Sequence, residues 1–451
     1  MRKLLVFVVI LAALAVGLFV LAGRRGAPHV EIASPEKFAG ADTPLRLVIG
    51  SPSPVESLRV TLEQNGASTE VPIDLASAKD LGDGRYEINA RLGKAAVPSM
   101  TSGPARLEVV AARSGMWGLR TLESRASRDL TVRLTPPRVT VLSTHHYINA
   151  GGAEMVVYRV DPQDVASGVR VGDLEYPGHP ASGARGEGVA VSDPALRVAF
   201  FALLHDQPVT TPMRVFARDE AGNAVAVDFD RRTFPKAVRQ SRIELPDAFL
   251  ERVVPAILAG TTEVTPTGST LDKFLVINGD LRRRNNEKIA SFAAETSAEM
   301  LWGGVTFHPF TNSAVQSAFA DQRTYIYQGR DVDKQTHLGF DLASYAGTPI
   351  VAANRGKVLF AGELGIYGQT VILDHGMGVQ SLYAHLSSIG VAVGSLVEKA
   401  QELGRSGMTG MAAGDHLHYT MLVHGRMVNP IEWWDSHWID DRILRKLRGV
   451  K

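Results

Sequence analysis

Between residues 349 and 386 the chain divides into four short apolar segments, 349–353, 356–362, 370–375 and 380–385, with glycines at 356, 362, 365, 368, 376 and 378 in or between them. Tight turns often need positive φ, which glycine adopts without steric cost. The pattern predicts a compact antiparallel sheet, open on one side. At roughly 150 residues per domain, 451 residues suggest about three domains. An apolar content of 45% against 21% charged residues excludes a disordered polyelectrolyte. Forty-eight basic and forty-seven acidic residues give a net charge of +1, so composition offers no argument for a nucleic-acid partner. With no cysteine in the chain, disulfides, thiolate metal sites and cysteine nucleophiles are excluded, and a metal must sit on His, Asp or Glu.

Upstream of this sheet the chain is mainly β. Met1-Arg2-Lys3 precedes an uncharged apolar run over 4–23, long enough as a helix to cross a bilayer. Residues 1–25 are therefore expected to be an uncleaved membrane anchor that exports the rest. Such an anchor makes a single-pass membrane protein and exports the bulk of the chain. Segments such as 45–49, 58–62, 85–89 and 105–110 partly alternate polar and apolar residues between Gly- and Pro-containing turns, which predicts a β-sandwich over 29–115. A second β-sandwich is predicted over 129–234. Its Asp219-Glu220-Ala221-Gly222-Asn223 turn resembles the last hairpin of bacterial immunoglobulin-like modules. Such modules could meet other envelope proteins. His145 and His146 point to opposite faces of a strand and read as surface or turn residues.

Residues 236–300 read as a helical connector, with helices over 247–258 and 285–299 and Asn285 or Asn286 as the second cap. Residues 301–439 form the next expected domain. The last segment, 440–451, reads as a basic tail. Trp433, Trp434 and Trp438, beside Ile439, Ile443, Leu444 and Leu447, suit a terminal helix packed on that domain.

Five side chains in the last third could share one site. His337 and Asp341 are four residues apart, about 13 Å along a straight strand, so a bend at Gly339 is needed for both to reach one ion. His416 and His418 share a strand face, and His385 closes the segment Tyr383-Ala384-His385. Two histidines with one carboxylate and a water are a usual composition for catalytic zinc, and the remaining histidines could move protons or hold an oxyanion. His375 reads instead as a packed strand-end residue.

The block 302–431 resembles the LytM/lysostaphin-type zinc metallopeptidase domain. The matching stretches are His337-Leu338-Gly339-Phe340-Asp341, Val351-Ala352-Ala353, Gly356-Lys357-Val358, His375-Gly376, Tyr383-Ala384-His385-Leu386, Gly404-Arg405-Ser406-Gly407, His416-Leu417-His418-Tyr419 and Val428-Asn429-Pro430. The resemblance implies an antiparallel β-sheet peptidase domain with Zn2+ on His337, Asp341 and His418, and with His385 and His416 as catalytic, non-ligand histidines. It implies a peptidoglycan endopeptidase that cuts peptide cross-links, with the D-alanine–meso-diaminopimelate bond as the preferred target, and, with the anchor, a single-pass inner-membrane protein with its bulk in the periplasm. The alternative is a noncatalytic regulator or scaffold of other wall hydrolases, as in degenerate members that lack ligands. Two departures stand out: Gly410 to Asp415 replaces a hydroxyl-containing loop that ends in Gly-Pro, and Thr420 replaces an acidic or amide residue, a change given no consequence.

Overall fold

The computed structural model describes residues 26–450 apart from 53–54, 116–119, 309 and 311. It is mainly β with short helices, in two units: Met1–Pro137 with Arg218–Val225, and Arg138–Ala217 with Ala226–Lys451.

In the first unit a four-stranded sheet (His29–Ser34, Asp42–Gly50, Arg85–Gly93, Lys79–Gly82) and a five-stranded sheet share one apolar core. Along Asp42–Gly50 buried and outward residues alternate, placing Leu45, Leu47 and Ile49 inside. They meet Val60, Leu62, Leu107 and Val109 from the other sheet, and each such side chain contributes about 1.5–3 kcal/mol by leaving water. The Asp219–Asn223 turn belongs to this unit. Asn223 Nδ2 donates to Arg133 O at 2.9 Å, and a Cβ on Gly40 would lie 2.2 Å from Ala221 O.

The second unit joins the strands after residue 138 to the sheet that carries the chemistry. Phe200 on the Leu196–Ala202 strand packs its ring 6.5 Å from Trp302 and 6.0 Å from Trp433, with Phe307 closing the cluster. Ser436–Arg448 is helical throughout, with Ile443 and Leu447 buried. From it Lys446 Nζ reaches Glu154 Oε1 at 2.7 Å and Met155 O at 2.9 Å, both in the interior. His146, expected at the surface, is fully buried. Its Nδ1 meets Asp230 O at 2.6 Å and its Nε2 meets Ser143 Oγ at 2.9 Å, so both nitrogens are satisfied and burial is tolerated.

The stretch 236–300 is stitched into this unit. It opens with a strand, Gln240–Glu244, which pairs in parallel with Asp321–Tyr327. Helix Asp247–Ala259 follows. A second helical run starts at Ser269, whose side chain forms a capping box with Asp272, and continues to Ser291 through a π turn at Ile277–Leu281. Asn285 is therefore inside a helix rather than at its cap. It is buried, and its Oδ1 accepts Ile366 N at 3.0 Å.

The expected membrane protein needs correction. Among the described residues no helix is long and apolar enough to cross a bilayer: Asp247–Ala259 has 13 residues against the ~20 a span requires, and the longer helical run that ends at Ser291 carries Asp272, Lys273, Asp280 and Arg282 to Arg284. Residues 1–25, on which the anchor rested, lie outside the described residues. The inner membrane as a partner and the single-pass location are withdrawn with it; the mainly β architecture stands.

The sheet under the site is antiparallel and runs Ala314–Ser317, Phe340–Ala343, Leu417–Val423, Val379–Leu386, Gln369–Gly376, Gly356–Glu363, Leu396–Val397, with Arg426–Val428 added on Leu417–Val423. Its central strands Gln369–Gly376, Val379–Leu386 and Leu417–Val423 are almost wholly buried, which gives the site a rigid floor.

Candidate metal centre

His337 ends the Arg330–His337 strand and Asp341 lies in Phe340–Ala343, so the chain changes sheets across Leu338-Gly339. That change is the bend the spacing demanded. Gly339 does not use a positive φ to make it. A Cβ there would stand 2.5 Å from the His418 ring and from Thr420 Oγ1, so space is the reason for glycine. Asp341 sits directly opposite His418 in the antiparallel ladder, and cross-strand neighbours share a face. His416, two residues before His418, shares that side.

Three atoms converge. His337 Nε2 and Asp341 Oδ1 are 3.0 Å apart, His337 Nε2 and His418 Nδ1 3.1 Å, and His418 Nδ1 and Asp341 Oδ1 3.0 Å. A zinc tetrahedron with bonds of about 2.0 Å has edges of roughly 3.3 Å, close to this triangle. The opposite nitrogens decide which protonation states fit. His337 Nδ1 faces Ala318 O at 3.1 Å, an acceptor only, so Nδ1 carries the hydrogen and Nε2 a lone pair. Thr420 Oγ1 donates to Leu338 O at 2.7 Å and so accepts from His418 Nε2 at 3.2 Å, leaving the lone pair on His418 Nδ1. Burial pushes His418 down to about 4, so it is neutral at neutral pH. Two imidazole lone pairs and a carboxylate oxygen facing one another repel unless a cation sits among them. These residues fit a zinc ion, and the hydrogen bonds behind them fix the tautomers that a metal requires.

Asp341 is almost fully buried, which alone would raise its pKa, yet protons carried toward it by the imidazoles of His337, His416 and His418 hold it well below the usual carboxylate range; with the lone pairs turned inward, a cation takes over that role. Its second oxygen accepts from Arg323 Nη2 at 2.9 Å, and the same nitrogen donates to Ser317 Oγ at 2.8 Å. Arg323 thus turns the carboxylate so that Oδ1 faces the triangle. Sequence reasoning missed Arg323, Ser317 and Thr420 as supports, since a strand arginine 18 positions from Asp341 carries no local signal of the pairing.

His385 and His416 flank the triangle with ring centroids 4.8 Å apart. Each spends Nδ1 on a carbonyl, His385 on Thr409 O and His416 on Gly414 O, both at 2.8 Å. Their Nε2 atoms are therefore free of that hydrogen. His385 has φ 62, a left-handed conformation that a histidine holds only when its surroundings impose it. Burial, then the neighbouring imidazoles, push His385 well below its ordinary value. For His416 burial pulls downward, but the hydrogen bond and charge of Asp341, 3.5 Å from its Nε2, win and raise it. The turn before His416 is tied down by Asp415, whose oxygens accept Ser406 Oγ at 2.6 Å and Gly347 N at 3.2 Å. His375 lies elsewhere, buried, with Nδ1 on Arg355 O and Nε2 on Ser381 Oγ, each at 2.7 Å.

Residues 335–430 match Peptidase family M23. The DD-carboxypeptidase/endopeptidase Mpg of Neisseria meningitidis serogroup B is 36% identical over 129 residues, which are 29% of each chain. The peptidoglycan DD-endopeptidase ShyA of Vibrio cholerae is 38% identical over 96 residues, 21% of this chain and 22% of that one. The match thus spans less than a third of the length of these curated relatives. Among solved structures, the catalytic domain of lysostaphin from Staphylococcus simulans is 26% identical, covering 27% of this chain and 92% of that chain. Csd3 of Helicobacter pylori is 30% identical over 29% of this chain and 34% of that chain. Their TM-scores, 0.24 and 0.23, are too low to bear on the fold. What surrounds the His337–Asp341–His418 triangle is a zinc metallopeptidase domain of family M23, the LytM type.

Proposed function

We propose that this chain is a zinc-dependent endopeptidase of bacterial peptidoglycan that hydrolyses the D-alanine–meso-diaminopimelate amide of peptide cross-links. The observation that carries the reading is the triangle of two lone-pair nitrogens and Asp341 Oδ1, backed by Ala318 O, Thr420 and Arg323 and flanked by two further imidazoles. Relatives named as DD-endopeptidases support the choice of bond. A zinc ion on His337, Asp341 and His418 supplies a Lewis acid for the scissile carbonyl and lowers the pKa of a water.

The proton work falls to the protein. His416 has its tautomer set by Gly414 O and its proton affinity raised by Asp341, which suits a base that takes the attacking water's proton and passes it to the leaving amine. His385 stays neutral and offers a lone pair at Nε2, so it accepts a hydrogen bond from the nucleophile rather than donating one to an oxyanion. The test is incubation of the protein and zinc with purified peptidoglycan, scoring cross-linked muropeptides beside a His418→Ala control. Loss of D,D-cross-linked dimers with the native protein alone supports the reading, and identical products from both proteins refute it.

A further inference from the structure

The loop 410–415, which delivers His416, contains no helix or strand. Its backbone bonds are Met411 N to Ile366 O at 2.8 Å and, where it ends, His416 N to Gly407 O at 3.1 Å. Between these points the loop is held from the helices of 247–291 at Ala412. Arg252, on Asp247–Ala259, donates from Nη2 to Ala412 O at 2.8 Å, and Ala412 is buried. Arg282 places Nη2 3.5 Å from Met411 Sδ while its guanidinium is braced on Asn278 O at 3.1 Å and Asn278 Oδ1 at 2.6 Å. The same helices hold the surface on which Met411 leans. Asn285 Oδ1 accepts Ile366 N at 3.0 Å and Asn286 Oδ1 accepts Tyr367 OH at 2.9 Å, with the Tyr367 ring 5.6 Å from that of His418.

We infer that the helices of 247–291 are part of the active site, with Arg252 and Arg282 as positioning residues that act through the 410–415 loop on His416. The inference rests on the role given to His416 above. The physical case is that a bond from a charged donor is roughly twice as strong as a neutral one, and a buried carbonyl without a partner costs free energy. Removing the Arg252 guanidinium strands the buried Ala412 O and loosens the loop between Met411 and the turn at Gly414. A base must be held within about 0.5 Å of its working position, and a misplacement near 1 Å costs up to about a hundredfold in rate.

The experiment compares the full native chain with Arg252→Ala, Arg252→Lys and Arg282→Ala. It measures kcat and KM on cross-linked muropeptides, bound zinc, and amide hydrogen exchange at 407–416. Arg252→Ala is expected to lower kcat about tenfold with KM within about twofold, to keep its zinc, and to speed exchange at Met411 and His416 while Gln369–Gly376 stays protected. Arg252→Lys, which still donates to Ala412 O, restores most of both losses; Arg282→Ala follows Arg252→Ala more weakly. Unchanged loop exchange overturns the inference whatever the activity, and so does faster exchange with unchanged kcat, or a loss of rate that merely follows lost zinc or general unfolding. If the native chain cleaves nothing, the proposed function fails, while the exchange comparison still decides whether the helices clamp the loop.

Discussion

Replacing Thr420 by valine tests whether hydrogen bonds behind the ligands hold the zinc. Thr420 is fully buried and its hydroxyl makes two bonds, donating to Leu338 O at 2.7 Å and accepting from His418 Nε2 at 3.2 Å. Valine matches its shape but leaves both partners unpaired. The His418 ring then loses the contact that fixes Nδ1 as its lone-pair nitrogen, so the metal-binding tautomer becomes one of two. Supports of this kind are worth 10- to 100-fold in metal affinity, or about 1.4–2.7 kcal/mol. The orphaned Leu338 carbonyl and His418 N–H add a stability cost of about 1–3 kcal/mol each at most. Zinc affinity is measured by competition with a calibrated chelator on native, Thr420→Val and Thr420→Ser proteins, with circular dichroism confirming the fold. Valine is expected to weaken binding at least about tenfold, and serine, which keeps the hydroxyl, to restore it. Native affinity in the valine variant, or serine as weak as valine, refutes the tautomer argument.

Other expectations follow from the same contacts. Gly339→Ala puts a Cβ 2.5 Å from the His418 ring; the purified protein should carry well under one equivalent of zinc by elemental analysis while the rest of the sheet keeps its melting behaviour. Lys446→Met leaves the Glu154 carboxylate buried without its 2.7 Å partner, and the second unit should lose about 3–5 kcal/mol in urea unfolding. His375 is held neutral by burial, its pKa pushed down to about 4 from 6.5. The unfolded chain therefore binds the extra proton first. The stability this group contributes is complete above pH 6.5 and is lost as pH falls toward 4, by about 3 kcal/mol. Urea melts across that range should show His375→Gln less acid-sensitive than the native protein by that amount, and parallel pH profiles would refute the assignment.

The candidate side chains were legible because their chemistry is local in type, in two pairs, His337 with Asp341 and His416 with His418, at spacings that strand geometry interprets; which three of them hold the metal came from the resemblance to LytM-type domains. The β character was legible for the same reason, since alternation as in Asp42–Gly50 reports a half-buried face. What escaped depended on partners far along the chain. Thr420 looked inconsequential because Leu338, 82 residues away, is what orients its hydroxyl. Gln240–Glu244 exposes every second residue and buries none, and its one apolar residue, Ile243, is too little to mark a strand. Asn285 resembled a cap because asparagine favours caps in general; its actual partner, Ile366 N, is 81 residues distant. His146 gave no sign of burial, since the Ser143 and Asp230 groups that satisfy it are set by the fold.

Glu154 and Lys446 are 292 residues apart. The strand Ala153–Asp161 is made long before the helix that pairs with its carboxylate, and until then the Glu154 carboxyl, pushed up by burial, takes a proton or keeps to water. The strands around Glu154 therefore reach their full stability only when that helix is docked. A chain lacking Lys446 would keep every residue of its middle and still hold it less firmly, so part of the strength of these strands is lent by a distant helix.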